Sequence, residues 1–312
     1  MTKQAKVVVV GSSNTDMVIK SERIPVPGET VIGGQFLLAP GGKGANQAVA
    51  AARLGVEVTF VAKVGQDMLG NQAVENYRKE GINTDYIFRD PDHATGVALI
   101  LVDAKGENLI SVASGANEFL TPADVEKAES VIAEAGVIVV QLETPLAALD
   151  CTARLAKKHG VPLILDPAPA PDAPLPGEVL SLLTCIKPNE SETERLTGIK
   201  VTDHASAQKA ADRLLEMGVK TALITLGSEG CLLVEKPHEG IAIPSFKVTA
   251  VDSTAAGDAF SGALACGIAQ GQTFFQAAQT ASAVAALSVT RLGAQPSLPT
   301  KAELDEFLKQ QQ

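Results

Sequence analysis

Tryptophan is missing from this chain, cysteine occurs only four times in 312 residues, and positive charge is in deficit, with 26 Lys and Arg against 36 Asp and Glu. Each shortage excludes something. Cys151, Cys185, Cys231 and Cys266 lie far apart with no C-x-x-C pair, which speaks against a zinc cage or a disulfide framework and for buried free thiols in a reducing compartment. A net charge of -10 argues against a nucleic-acid or anionic-membrane partner. An anionic ligand must then be met by local donors. The apolar run Val7–Val10 is too short for a signal-peptide core, and no stretch approaches the roughly 18 apolar residues of a membrane span. A cytoplasmic protein is expected. His93, His159, His204 and His238 share no spacing and receive no role.

What is present is an ordinary globular composition, 46% hydrophobic and 20% charged, able to fold on its own. Short β-branched runs at Lys6–Val10, Val58–Val64, Gly136–Leu142, Val161–Asp166, Cys185–Lys187 and Thr221–Leu226 alternate with helical patterns, which predicts a doubly wound α/β fold around a mainly parallel sheet. Thr121-Pro122 and the capping box Thr300–Glu303 mark helix starts. The charged segment Asp203–Met217 reads as a solvated helix over the sheet. Two stretches, about 15–40 and 95–112, read as strands without helices between them and predict a small sheet inserted in one domain spanning 1–312. Pro167–Pro176 reads as a loop at a strand end.

Ligands of such sheets bind beyond the carboxyl ends of the strands, so polar residues just after strands carry most information. Asp16 and Glu143 each follow a strand-like run. Gly41-Gly42-Lys43-Gly44-Ala45-Asn46 opens an Ala-rich helix; it fails the Walker pattern at Gly44 and the dinucleotide pattern at Gln47, leaving either a ligand-approaching backbone or a tight helix-capping loop. Ala255-Ala256-Gly257-Asp258 places small residues and a carboxylate at a helix start, either as a simple cap or as an anion site beside a general base. The coincidence of both features favours the base. Asn189-Glu190-Ser191-Glu192 caps a helix or offers oxygen ligands to Mg²⁺. Thr225–Gly230 reads as a hairpin turn.

Taken together, the two glycine-rich segments, Gly41–Asn46 and Asp252–Asp258, resemble the paired signatures of PfkB-type carbohydrate kinases. Gly11–Asp16, Gln141–Glu143, Asn189–Glu192, Thr225–Gly230 and Val289–Ser297 are similar, in order and spacing, to the ribokinase group of that family, almost throughout the chain. The resemblance implies a ribokinase-like fold with a small β-sheet lid, transfer of the γ-phosphate of ATP to the 5-hydroxyl of D-ribose, and a homodimer paired through the lid strands. It implies Asp258 as base with Ala255, Ala256 and Gly257 as anion-hole donors, and a sugar site of Asn14, Asp16, Gly42, Lys43, Asn46 and Glu143. Nucleotide positions would be Asn189, Glu192, Thr225, Gly227, Gly230, Gly257 and Ser282, with Asn189 and Glu192 also holding Mg²⁺ through water. Asp252, Thr254, Ser288, Arg291, Gly293 and Ser297 would surround K⁺, Arg291 through its carbonyl. Ser253, Ala259, Ser261 and Ser282 depart from residues common in the group. Sister kinases acting on deoxyribose, another sugar or a nucleoside, and a non-catalytic sugar-binding regulator, are the alternatives.

Overall fold

The structure is a computed structural model, and it describes residues 5–235 and 239–311. His238 lies outside the described residues. The four valines of β1 (Lys6–Val10) are buried on both faces, as expected of a central parallel strand. The chain then leaves the body for β2 (Asn14–Lys20) and β3 (Gln35–Gly41) and returns through α1 (Lys43–Arg53), β4 (Glu57–Gly65), α2 (Met68–Lys79) and β5 (Ile87–Asp90). A second excursion forms β6 (Gly96–Val102) and β7 (Asn108–Ala113). After two short helices, α3 (Pro122–Lys127) and α4 (Glu129–Glu134), β8 (Val137–Val140), α5 (Leu146–His159), β9 (Leu163–Leu165), α6 (Gly177–Leu182) and β10 (Cys185–Ile186) resume the alternation. The rest is α7 (Glu190–Thr197), α8 (His204–Glu216), the strands β11 (Thr221–Thr225), β12 (Cys231–Glu235) and β13 (Ile241–Ile243), and α9 (Ala256–Ala269), α10 (Phe274–Ser288) and α11 (Lys301–Gln310).

Two sheets result. The larger runs β13-β12-β11-β10-β9-β8-β1-β4-β5, antiparallel only in the last hairpins β11–β12–β13, with an apolar core on each face. The smaller runs β3-β2-β6-β7. Strand order reverses about β1, so the loops after β1 and β8 flank the switch point where doubly wound sheets bind ligands. The expected turn at Thr225–Gly230 is the β11–β12 hairpin, and the threonine caps at 121 and 300 form complete capping boxes. The helix expected from Asp203 is amphipathic, burying Ala207, Ala210, Ala211, Leu214 and Leu215 against the sheet. Asp16 lies inside β2, within the excursion expected at about 15–40, paired across from Ala39, and β2 begins only four residues beyond the end of β1. Cys185, Cys231 and Cys266 are buried free thiols, and Cys151 is half-buried. Among the described residues no helix is long and apolar enough to cross a membrane.

The junction of sheet and lid is anchored by Phe60 of β4, fully buried and packed edge-on against Tyr77 of α2 with ring centroids 5.3 Å apart. The Tyr77 hydroxyl in turn meets the Ser13 hydroxyl at 2.6 Å, at the root of the lid. Phe60→Ala removes most of a buried ring and its aromatic contact, and is expected to lower stability by about 3–5 kcal/mol in urea unfolding.

Candidate active site

The two glycine-rich segments meet. Gly42, at the start of α1, has φ 91°, and a Cβ there would strike the Asn14 backbone nitrogen at 2.7 Å, so only glycine lets this loop close on the lid strand. The first N–H of α1, from Lys43, donates to Glu143 Oε2 at 3.0 Å, and Ser12 Oγ donates to the same oxygen at 2.5 Å. The loop after β8 is thereby fastened to the loop after β1. The next turn of α1 carries two amides toward α9. Asn46 Nδ2 donates to Asp258 Oδ2 at 2.9 Å, and Gln47 Nε2 donates to Asp258 Oδ1 at 3.1 Å and to Asp166 Oδ2 at 2.8 Å. Gln141 Nε2 donates to Gln47 Oε1 at 2.6 Å, which fixes that amide with both hydrogens facing carboxylates.

Asp258 sits in the first turn of α9, almost fully buried. Burial pushes its carboxyl up to about 6, with Asp166 adding to the rise, while the Lys43 ammonium and the two amides oppose it. The helix enters through Ala255 at φ 60°, the one non-glycine residue with positive φ among those described. That left-handed residue costs on the order of 1–2 kcal/mol, and it turns the preceding chain aside from the helix end. Ala256 N–H is taken by the Ser253 carbonyl at 3.2 Å. The N–H groups of Ala255, Gly257 and Asp258 have no acceptor among the described residues, so the open donors include Asp258's own amide and leave out that of Ala256. Aligned at the positive end of a 14-residue helix, they form an anion site.

A cavity of about 350 Å³ opens from these donors and is also lined by Lys43, Asn189, Glu192, Thr225, Gly227, Gly230 and Ser282, so it collects the residues expected to meet a nucleotide. Asn189 and Glu192 form a reciprocal capping box on α7, which uses Glu192 Oε2 and leaves Oε1 without a donor. Burial raises the Glu192 carboxyl. An outward oxygen on a partly desolvated carboxylate suits a hydrated divalent cation.

A second cavity, lined by Asn14, Glu143 and Thr144, lies on the lid side. Asp16 has no hydrogen-bond donor among the described residues; burial first, then the Glu143 and Asp258 charges, push it up to about 6. Asn46 Oδ1 is buried with no partner. Lys43 has no ion pair within 4 Å among the described residues; burial disfavours its charge, yet Asp258, Asp166, Glu143 and Glu192 together hold its ammonium strongly. These polar groups have the chemistry to meet a polyhydroxylated ligand.

Behind the anion site, Asp252 Oδ1 accepts from Thr254 N–H and Oγ at 2.9 and 2.6 Å, and Oδ2 from Gly293 N–H at 2.8 Å. Val289 accepts from the N–H groups of Val251 and Asp252 at 2.7 and 3.1 Å. The loop before α9 is thus stitched to the segment carrying Ser288, Arg291 and Gly293. The Arg291 guanidinium points away, pairing with Glu303 at 2.7 Å, which leaves only its carbonyl for a cation. Ser297 is fully buried, its hydroxyl donating to the Ala294 carbonyl at 2.8 Å.

Sequence reasoning passed over three polar residues of the centre: Gln47, Asp166 and Lys187. The last two form an ion pair at 3.3 Å, both almost wholly buried, with Lys187 Nζ also 3.5 Å from the Gly257 carbonyl. A signal existed, since each is a charged residue directly ending an apolar strand.

A model of the pfkB family carbohydrate kinases matches residues 4–301. The ribokinase of Haemophilus influenzae is 44% identical over 301 residues, covering 96% of this chain and 97% of that protein. The deoxyribokinase of Salmonella typhi is 37% identical over 302 residues, 97% of this chain and 98% of that protein. The solved structure of Arabidopsis thaliana ribokinase complexed with ribose and ATP matches with a TM-score of 0.90 at 33% identity, covering 98% and 99% of the two chains. With Asp258, the helix-end donors and the small sheet in one array, and a family match that runs through all of them, the chain belongs to the pfkB family of carbohydrate kinases.

Proposed function

We propose that this chain transfers the γ-phosphate of ATP to the 5-hydroxyl of D-ribose, giving D-ribose 5-phosphate and ADP. The observation that carries the reading is the position of Asp258, which shares the start of α9 with three open N–H groups and is held by two amides of the sugar-side helix. A base and an anion site at one point are what phosphoryl transfer to an alcohol needs. Asp258 takes the proton of the attacking hydroxyl as its oxygen bonds to the γ-phosphorus, and the bond to ADP breaks. Charge on the equatorial oxygens is met by the N–H groups of Ala255, Gly257 and Asp258 and by the Lys43 ammonium. Asp16 and Glu143 accept hydrogen bonds from sugar hydroxyls, and Asn46 Oδ1 gains the donor it lacks. The nucleotide occupies the larger cavity between Asn189, Glu192, Thr225–Gly230 and Ser282.

Mg²⁺ supplies charge neutralisation of the phosphates when bound, and Glu192 Oε1 and Asn189 are the groups that suit it through water. Asp252, Thr254 and the carbonyls of the 288–297 segment suit K⁺, which would stiffen the loop whose last residue, Ala255, is strained. Both faces of the lid sheet expose apolar side chains, Phe36, Leu38, Leu99 and Leu109 on one and Leu37, Ile110 and Val112 on the other, which supports pairing of two subunits there. ATP as donor supports a cytoplasmic setting. Because a deoxyribokinase is also similar to the chain, the substrate is tested with ribose, deoxyribose, fructose and adenosine in an ADP-release assay. Ribose is expected to give the highest kcat/KM; preference for another acceptor overturns the assignment.

Asp258→Asn should lower kcat by roughly 10²–10⁴-fold with ribose KM little changed, since it removes the proton acceptor but keeps the shape. Near wild-type kcat in the variant would take Asp258 out of the chemistry.

Asp16 gives a test with a definite sign. Its carboxyl titrates near 6 in the fold against 3.8 in model compounds, so between these values the native state binds more protons and stability falls as pH rises. Asp16→Asn is therefore expected to stabilise the ligand-free protein at pH 7.5 by about 1–2 kcal/mol, discounting for partial solvation, with the gain shrinking by pH 4.5. The same variant should bind ribose far more weakly and ATP unchanged. Thermal melts at the two pH values and calorimetry with each ligand check both halves.

Potassium should raise activity above that in sodium at equal ionic strength, and Asp252→Ala should abolish the rise while sparing Mg²⁺ dependence. Equal response of the wild type to both ions would remove the cation site.

A further inference from the structure

Four backbone crossings join the lid sheet to the body: into β2 at Ser13–Asn14, out of β3 at Gly41–Gly42, into β6 at Thr95–Gly96 and out of β7 at Ala113–Ser114. Three of the four meet at one side chain that neither the sequence patterns nor the phosphoryl-transfer chemistry singles out. Asn117 lies in the short 3₁₀ turn Gly115–Phe119 after β7 and is 1% exposed. Its Oδ1 accepts from the Ser13 backbone N–H at 2.9 Å. Its Nδ2 donates to Asn14 Oδ1 at 2.7 Å and to the Ser114 carbonyl at 3.0 Å, with the Ser13 carbonyl at 3.2 Å sharing one of the two hydrogens. At the third crossing, a side chain on Gly96 would collide with Asn14 Oδ1 and Asn117 Nδ2, so the backbone there leaves room for these two amides alone.

The chain of donors and acceptors admits one arrangement. A backbone N–H can only donate, so Ser13 forces Asn117 to present its oxygen to it, because the reverse orientation would set two donors against each other. Asn117 Nδ2 must then face Asn14, and Asn14 must answer with its oxygen. The Asn14 NH₂ is left as the free end of the amide, without a partner among the described residues, on the walls of the lid-side cavity. The cavity therefore offers a donor from Asn14 on a wall that also carries the carboxylate acceptor Glu143, and the donor character is imposed from Ser13 through Asn117. We propose that Asn117 is a positioning residue for sugar recognition, fixing the Asn14 amide so that it donates to a hydroxyl oxygen of the acceptor sugar. This rests on the sugar-kinase reading above.

Asn117→Asp is the sharp test. The carboxylate still accepts from Ser13 but sets an oxygen against Asn14 Oδ1, which turns the Asn14 amide round and shows the sugar an acceptor where it requires a donor. Losing one such bond and burying a mismatch corresponds to roughly a 10–100-fold rise in sugar KM, with ATP KM and kcat within about threefold. A merely structural role would shift all three. The decisive readout is a double-mutant cycle with Asn14→Ala: once the amide is gone, adding Asn117→Asp should raise sugar KM by less than about threefold. Additive effects, or an unchanged sugar KM in Asn117→Asp, overturn the proposal. Should that variant not fold, Asn117→Ala, which frees the Asn14 amide to turn, is expected to give a smaller rise of about three- to tenfold with the same dependence on Asn14, and the same outcomes decide. The cycle is read on whichever sugar the wild type turns over. A wild type inactive with ribose but active with another sugar sinks the ribose assignment alone, whereas one that turns over no sugar sinks both.

Discussion

Two carboxylates cannot be buried side by side unless donors reach both, and the Gln47 amide supplies that condition. Its two hydrogens go to Asp166 and Asp258, and its oxygen is held by Gln141. Asp166 is further met by Ser261 Oγ at 2.9 Å and by the Lys187 ammonium. Without these contacts each acid would protonate or move toward water, at a cost of several kcal/mol. With them, Asp258 keeps a carboxyl near 6: mostly ionised at neutral pH, yet basic enough to accept a proton. Two neutral amides on Asp258 leave it more basic than a directly paired lysine would, since the Lys187 cation is spent on Asp166 instead.

That network also dictates the backbone around it. Residues 46–47 and 258 are more than 200 positions apart in sequence, so α1 and α9 must pack closely enough for amide and carboxylate to touch. Small residues make this possible: Ala45, Ala48, Val49 and Ala51 on α1 face a core that includes Ala259 and Ala263 on α9, and a Cβ on Gly262 would strike the Gln47 carbonyl at 2.7 Å. The strained entry at Ala255 belongs to the same geometry, because an ordinary helical residue there would continue the helix backward over the donors that the anion needs.

The strand alternation, the lid excursions and most site residues were legible because each depends on local pattern: buried β-branched runs, glycines before a helix, a carboxylate after small residues. Asp16 falls both just after a strand-like run and within the excursion expected at about 15–40, and it is the excursion's first strand that holds it. Asp166 and Lys187 carried a mark that was passed over, each being a charged residue that ends an apolar strand, whereas Gln47 and Asn117 were not legible. Their importance is relational, each being defined by partners up to 211 residues away, and a single glutamine or asparagine at a strand end or helix turn looks like any cap. The capping box at Asn189–Glu192 shows the opposite case, in which the bland reading and a proposed ligand role share the same residues without conflict, the cap using Glu192 Oε2 and leaving Oε1.

Several buried polar atoms have no partner in the ligand-free protein: Asn46 Oδ1, Gln141 Oε1 and Asp166 Oδ1 among them. Each costs on the order of 1–3 kcal/mol when left unmade. A fold could remove that cost by apolar substitution, and these positions cluster where a sugar or a phosphate would lie. Gln272 Oε1 and Gln295 Nε2 are unpartnered as well, away from these positions, so the cost is concentrated at the site without being confined to it. The small sheet is tied to the body at four crossings, and three of them converge on Asn117, two through hydrogen bonds and the one at Gly96 through close packing, so its attachment depends on one buried amide as the acid pair depends on Gln47.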